Sequence, residues 1–106
     1  MDRMNPRSSY RCLGAHALPS VAASTAPFTT VPEKTKEVRF TIRTAAICMT
    51  GPINGVPVTA TTTVGLDFAV NSTSSPYVME STPATLRLMR AIQSGGTAAG
   101  YVEYWG

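Results

Sequence analysis

The stretch Thr82-Pro83-Ala84-Thr85-Leu86-Arg87-Leu88-Met89-Arg90-Ala91-Ile92-Gln93 supports two readings, and the choice between them decides the fold class. Thr82 can cap a helix, Pro83 suits its first turn, and Gly95 can close it. Most of the residues between are strong helix formers. Yet Leu86, Leu88 and Ile92 share a face at period two, broken by Arg90, and Ser94-Gly95-Gly96-Thr97-Ala98-Ala99-Gly100 makes a plausible hairpin loop into Tyr101–Trp105. Local signals by themselves put helix slightly ahead.

The neighbouring segments are strand-like. Val38, Phe40 and Ile42 alternate with Glu37, Arg39, Thr41 and Arg43, which predicts one dry and one wet face. Thr44 to Met49 continues as a second extended piece. Gly51-Pro52-Ile53-Asn54-Gly55-Val56-Pro57 is a loop in which Asn-Gly supplies positive φ. Val58 to Thr63 is β-branched almost throughout and predicts a strand. Leu66, Phe68 and Val70 alternate with Asp67 and Ala69. Asn71 to Pro76 is a turn cluster, and its Asn71-Ser72-Thr73 sequon reads as turn chemistry. Tyr77 to Ser81 predicts a short strand, and Tyr101, Glu103 and Trp105 alternate with Val102 and Tyr104.

Residues 1–30 differ. They are rich in Ser, Ala and Pro, hold a single acid and show no sustained apolar period, so an extended, weakly self-stabilised arm is expected. The expected organisation is therefore an arm over 1–30 and a domain over 31–106. An Arg- and Ser-rich, acid-poor start also fits an organellar presequence.

With 106 residues there is one domain's worth of chain. Charged residues are 14% of it and the net charge is +3. Such a charge-poor, Thr-rich surface suits a subunit whose faces are covered by neighbours. No basic block interleaved with aromatics marks a nucleic-acid surface. No apolar run approaches the length of a transmembrane helix, and no signal-peptide core is present. Cys12 and Cys48 form neither a CxxC nor a ligand cluster. Two free thiols are expected, with Cys48 a small buried apolar side chain.

From Val38-Arg39-Phe40-Thr41-Ile42, through Ala46-Ile47-Cys48-Met49, a Gly/Pro loop, Leu66-Asp67-Phe68-Ala69-Val70 and Pro76-Tyr77-Val78-Met79, to Leu86–Ile92 and Tyr101-Val102-Glu103-Tyr104, the order of features resembles small β-sandwich virion proteins of tailed bacteriophages. In that class the segment before the Gly-rich loop is a strand. The resemblance therefore implies an all-β chain: a small β-sandwich or jelly-roll-like antiparallel fold with an extended N-terminal arm. It also implies a capsid decoration, cement or minor head or tail subunit located in the virion. Its partners would be other virion proteins and further copies of itself.

The chemistry-bearing residues point the same way. The one histidine, His16, lies in the expected arm and reads as a solvated side chain. Nucleophilic catalysis needs a nucleophile, a base and an orienting group together. Asp2, Glu33, Glu37, Asp67, Glu80 and Glu103 are widely spread in sequence and read as solvated strand or loop positions. One His and two distant Cys cannot close a zinc shell. No catalytic residue, metal or cofactor is expected. The candidate residues are interface anchors: Arg3, Arg7 and Arg11, spaced by four; Phe28; and the terminal aromatics Tyr101, Tyr104 and Trp105. The Arg triplet could meet phosphate on a helical face, but a salt-bridging arm on an acidic neighbour is the favoured reading. The three aromatics could alternatively form a sugar platform.

Overall fold

The computed structural model describes residues 9–72 and 74–106. It contains seven strands and one short helix: β1 (Cys12–Ala17), β2 (Glu37–Ile42), β3 (Ile47–Thr50), β4 (Leu66–Phe68), β5 (Tyr77–Glu80), α1 (Pro83–Leu88), β6 (Arg90–Gln93) and β7 (Gly100–Trp105). The strands form two antiparallel sheets, ordered β1-β7-β2-β5 and β4-β3-β6. The chain is all-β apart from α1.

One further segment, bent at residues 22–24, completes the topology. Thr25 and Ala91 exchange backbone hydrogen bonds of 3.0 and 2.8 Å, and Gln93 N–H donates to Val21 at 2.8 Å. Residues 21–25 therefore run along the free side of β6 and extend the second sheet. Counted in chain order with this segment second, the sheets read 1-8-3-6 and 5-4-7-2. Segments 1 with 8, 2 with 7, 3 with 6 and 4 with 5 all pair antiparallel, as in one long hairpin rolled around itself, which is the connectivity of a jelly roll.

The two sheets face each other across one core. Val38, Phe40, Ile42, Val102 and Tyr104 come from the first sheet, and Ile47, Met49 and Ala91 from the second. Aromatic rings fill its centre. Phe40 meets Phe28, Phe68 and Tyr77 at centroid separations of 5.8, 5.3 and 5.3 Å, in edge-on or tilted arrangements that favour aromatic pairs.

The expected arm ends earlier than its composition implied. Residues 1–8 lie outside the described part, but β1 is hydrogen-bonded along β7. Leu18, Val21, Phe28 and Val31 are core residues, with Val21 and Phe28 at 0% and 1% exposure. No packing boundary falls at 30/31. The apolar residues of 18–31 lack a period because they lie on irregular backbone, where no repeat forces one. Burial of each still contributes about 1.5–3 kcal/mol.

The ambiguous stretch is divided between both readings. Thr82 caps α1, its hydroxyl accepting from Thr85 N–H, and Pro83 occupies the first turn. Leu86 is its buried side chain, and Met89, the extended residue that caps its C-terminus, is buried three positions on. From Arg90 onward the chain is a strand, because β3 on one side and Thr25 on the other offer it backbone partners. Gly95 does not close the helix. It lies with Gly96, both at φ 76°, in the β6–β7 connection, which crosses between the sheets and is not a hairpin.

Three other expectations change. Val58 to Thr63 is not a strand, despite its propensity: Thr61 and Val64 close a tight turn instead. This segment covers the outer side of β3, where the Cys48 thiol donates to Val64 C=O at 3.5 Å and Thr50 Oγ1 donates to Val58 C=O. The outer face of β2 is not wet throughout either, since Glu37 and Thr41 are buried at 0% and 3% exposure. Asn71 is more than a turn residue. Its carboxamide oxygen accepts from Ile42 N–H at 2.7 Å and its Nδ2 donates to Ser75 C=O at 3.0 Å, so the side chain extends the ladder on β2.

Candidate functional site

The outer face of the four-stranded sheet gathers polar and aromatic groups that could meet a partner. Antiparallel register places Ala15, Glu103, Arg39 and Val78 in one row across all four strands. The next row holds Ala17, Tyr101 and Thr41, and the row on the other side Trp105, Glu37 and Glu80. Alanines on β1 make that side of the face a low ledge beside the aromatics of β7.

Arg39 organises the centre. Its Nε donates to Glu37 Oε2 at 2.6 Å, and its guanidinium lies 4.0 Å from the centroid of the Trp105 ring. Stacking on an indole and pairing with a carboxylate at once is a use of the planar guanidinium that lysine cannot copy. Trp105 Nε1 donates to Glu103 Oε1 at 3.2 Å. Beside this network a small cleft opens between Arg39, Thr41, Pro76, Tyr101 and Glu103. The Thr41 hydroxyl at its wall is buried and has no hydrogen-bond partner among the described residues.

The sequence-derived candidates separate into four groups. Arg3 and Arg7 lie outside the described residues. Tyr101 and Trp105 lie on the outer face, half-buried, as a contact surface requires. Phe28 and Tyr104 are corrections: both point into the core at 1% and 0% exposure and meet edge-on at 6.4 Å, so neither can anchor a neighbour. With Tyr104 inside, the three terminal aromatics do not form a sugar platform, because strand alternation sends Tyr104 to the opposite face from Tyr101 and Trp105.

Arg11 is exposed and pairs through its backbone with Gly106 at 3.0 and 3.1 Å. It shares a groove with Leu13, Lys34 and Lys36. Lysines 23 and 25 positions downstream could not be foreseen as its neighbours, because only the β1–β7–β2 pairing brings them together.

His16 is likewise not a free solvated side chain. Its Nε2 lies 2.6 Å from Tyr104 Oη and its Nδ1 2.7 Å from Ala17 C=O. A neutral ring protonated at Nδ1 satisfies both, donating to the carbonyl and accepting from the phenol. Burial pushes the Tyr104 hydroxyl up to about 12, with the Thr30 backbone acting weakly in the opposite sense. The thiol of Cys48 is also raised, first by burial and then by the hydrogen bond and negative charge of Asp67. Both cysteines are free, Cys12 exposed and Cys48 buried. Among the described residues no three His, Cys, Asp or Glu side chains come close enough to hold a metal ion.

No known protein family, curated protein or solved structure matches the chain.

Proposed function

We propose that the chain is a structural subunit of a virion, of the kind its sequence resembles in tailed bacteriophages, and that it works through subunit contacts without catalysis. The observation that carries this reading is the rolled-hairpin strand order, an architecture that recurs in viral capsid domains. The outer face of the four-stranded sheet supports it. Tyr, Trp and Arg are the residue types enriched at interface centres. Docking there desolvates the Arg39–Trp105 stack and offers the Thr41 hydroxyl a partner. The neighbours are other virion proteins and further copies of this chain.

The test is co-sedimentation with purified particles. The wild-type chain is expected in particles at a fixed, repeated copy number. Tyr101→Asp places a charge on the outer face without touching the core, so it should fold with an unchanged melting temperature. Its incorporation should drop about tenfold or more. A chain missing from particles, or a Tyr101→Asp variant that incorporates normally, sinks the reading.

A further inference from the structure

Beyond Trp105 the chain continues as Gly106, which lies between Arg11, just ahead of β1, and the residues leading into β2. Arg11 N–H donates to Gly106 C=O at 3.0 Å, and Gly106 N–H donates to Arg11 C=O at 3.1 Å. On the other side Lys36 N–H donates to Trp105 C=O at 2.8 Å, and Thr35 N–H closes a turn onto Pro32 C=O at 3.2 Å. Only glycine fits at position 106, because a Cβ there would collide with Lys34 C=O. The groove beside it has a volume of about 550 Å³, within the range of small-ligand clefts.

Arg11, Lys34 and Lys36 bring three cations to this groove, and all three residues are exposed. None of the three is ion-paired among the described residues. Glu33, the one acidic side chain on the lining, is held by Arg87 at 2.9 Å. A main-chain carboxylate at Gly106 would offset only one of the three charges. Lys36 Nζ lies 5.6 Å from the Tyr10 ring centroid, a contact that orients the ammonium without neutralising it. Cations gathered in one groove raise the local concentration of anions.

A second observation is independent of charge. Thr35, on the same lining, is 3% exposed, and its hydroxyl has no hydrogen-bond partner among the described residues. Buried hydroxyls are normally satisfied, so this one calls for a partner from outside the chain. A carboxylate offers two oxygens. A phosphate group offers at least three around one centre, with up to two charges, and can meet a guanidinium, two ammonium groups and a hydroxyl together.

We infer that the groove of Arg11, Lys34, Thr35 and Lys36 binds a phosphate group, as the free ion or on a small ester. Arg11 supplies paired N–H donors, the lysines supply charge and Thr35 donates its hydroxyl. Leu13 lines the same groove and gives the carbon part of an ester apolar cover. The inference stands apart from the virion reading, which rests on the outer face of the first sheet.

Amide resonances of the isotope-labelled full chain, titrated with inorganic phosphate and with phenyl phosphate at constant ionic strength, test it. Shifts are expected at Arg11, Thr35, Lys36 and Gly106, with a Kd of about 1 mM or tighter, and benzoate should bind about tenfold more weakly. Tighter binding of phenyl phosphate assigns the ester, and tighter binding of inorganic phosphate assigns the free ion. Arg11→Gln and Lys36→Gln should each weaken binding about fivefold or more. Arg43→Gln, exposed at the far end of β2, should leave it unchanged. Thr35→Val keeps the side-chain shape and removes the hydroxyl. It should weaken binding about threefold, with a melting temperature that does not fall.

No shift at these residues up to about 20 mM phosphate overturns the inference. So does a response that Arg43→Gln reduces as much as Lys36→Gln, since that is screening of the whole chain. Wild-type binding by Arg11→Gln, Lys36→Gln and Thr35→Val does the same. Tighter binding of a hexaglutamate peptide or a thymidine hexanucleotide at these residues makes the occupant a macromolecule, and overturns it too. Phosphate binding by a chain missing from particles sinks the virion reading and leaves this one standing. Incorporation of a chain that ignores phosphate does the reverse.

Discussion

Residues 18–31 and residues 51–65 are both irregular connections, yet the sandwich treats them oppositely. The first passes Leu18, Val21, Phe28 and Val31 into the core. The second is richer in β-branched residues, but it lies over the outer side of the three-stranded sheet and leaves Ile53, Val56 and Val64 in solvent. Apolar character is similar in the two. What differs is whether the segment crosses the mouth of the sandwich or its outside. Burial of a loop side chain is decided by where the strands on either side of it are anchored, and not by the propensity of the loop itself.

The contrast can be broken most forcefully at Phe28. Phe28→Ala should lower unfolding free energy by about 3–5 kcal/mol, as expected for a truncated buried ring, whereas Ile53→Ala should change it by about 0.5 kcal/mol or less. Urea denaturation compares them. Equal effects would mean that the two connections are not distinguished by burial. For the same reason, removing residues 1–27 would take away β1 and Val21 and should abolish cooperative unfolding, not merely the contacts of an arm.

A smaller effect tests how well the first connection seals the core. Tyr104 lies beneath Phe28 and against His16, and its hydroxyl titrates at about 12 in the folded chain against 10.0 ordinarily. Because the folded value is the higher one, the associated stability is complete below pH 10 and is lost as pH rises toward 12. The loss should amount to about 2 kcal/mol by pH 12. Tyr104→Phe removes that dependence, and an unaltered alkaline slope in the variant would show that the phenol is not its source.

The smallest effect lies under the second connection. Cys48 is covered by Val64 and Gly65, and its raised thiol is a poor nucleophile. A thiol reagent should label Cys12 at once in the native protein and Cys48 only on unfolding. Rapid labelling of both would mean that residues 51–65 lift away readily.

Much of the architecture was legible because period-two alternation is a local consequence of backbone pleating. β2, β5 and β7 could be read from Val38-Phe40-Ile42, Tyr77-Met79 and Val102-Tyr104, and the Asn54-Gly55 turn from its demand for positive φ. The small supply of reactive groups could be read from residue types, since the chain has one histidine and scattered acids. β1 escaped notice because Cys12-Leu13-Gly14-Ala15-His16-Ala17 has small residues and a glycine where a strand normally carries bulk. The contact face was only half legible: alternation separates Tyr104 from Tyr101 and Trp105, but Arg39 and Glu37 join the aromatics solely through the β2–β7 register.

What the amino-acid order determined by itself is therefore the local alphabet: which segments extend, where the chain turns, where α1 starts, and how few reactive groups it carries. Only the tertiary structure decided that α1 stops at Leu88, that Val58 to Thr63 is not a strand, and that β1 joins the first sheet while Leu18, Val21, Phe28 and Val31 enter the core. The physical reason is the same in each case. A helix yields to a strand, a propensity goes unused, or an aperiodic stretch becomes buried when distant segments supply or withhold backbone partners and apolar cover, and those segments meet only when the long hairpin rolls up.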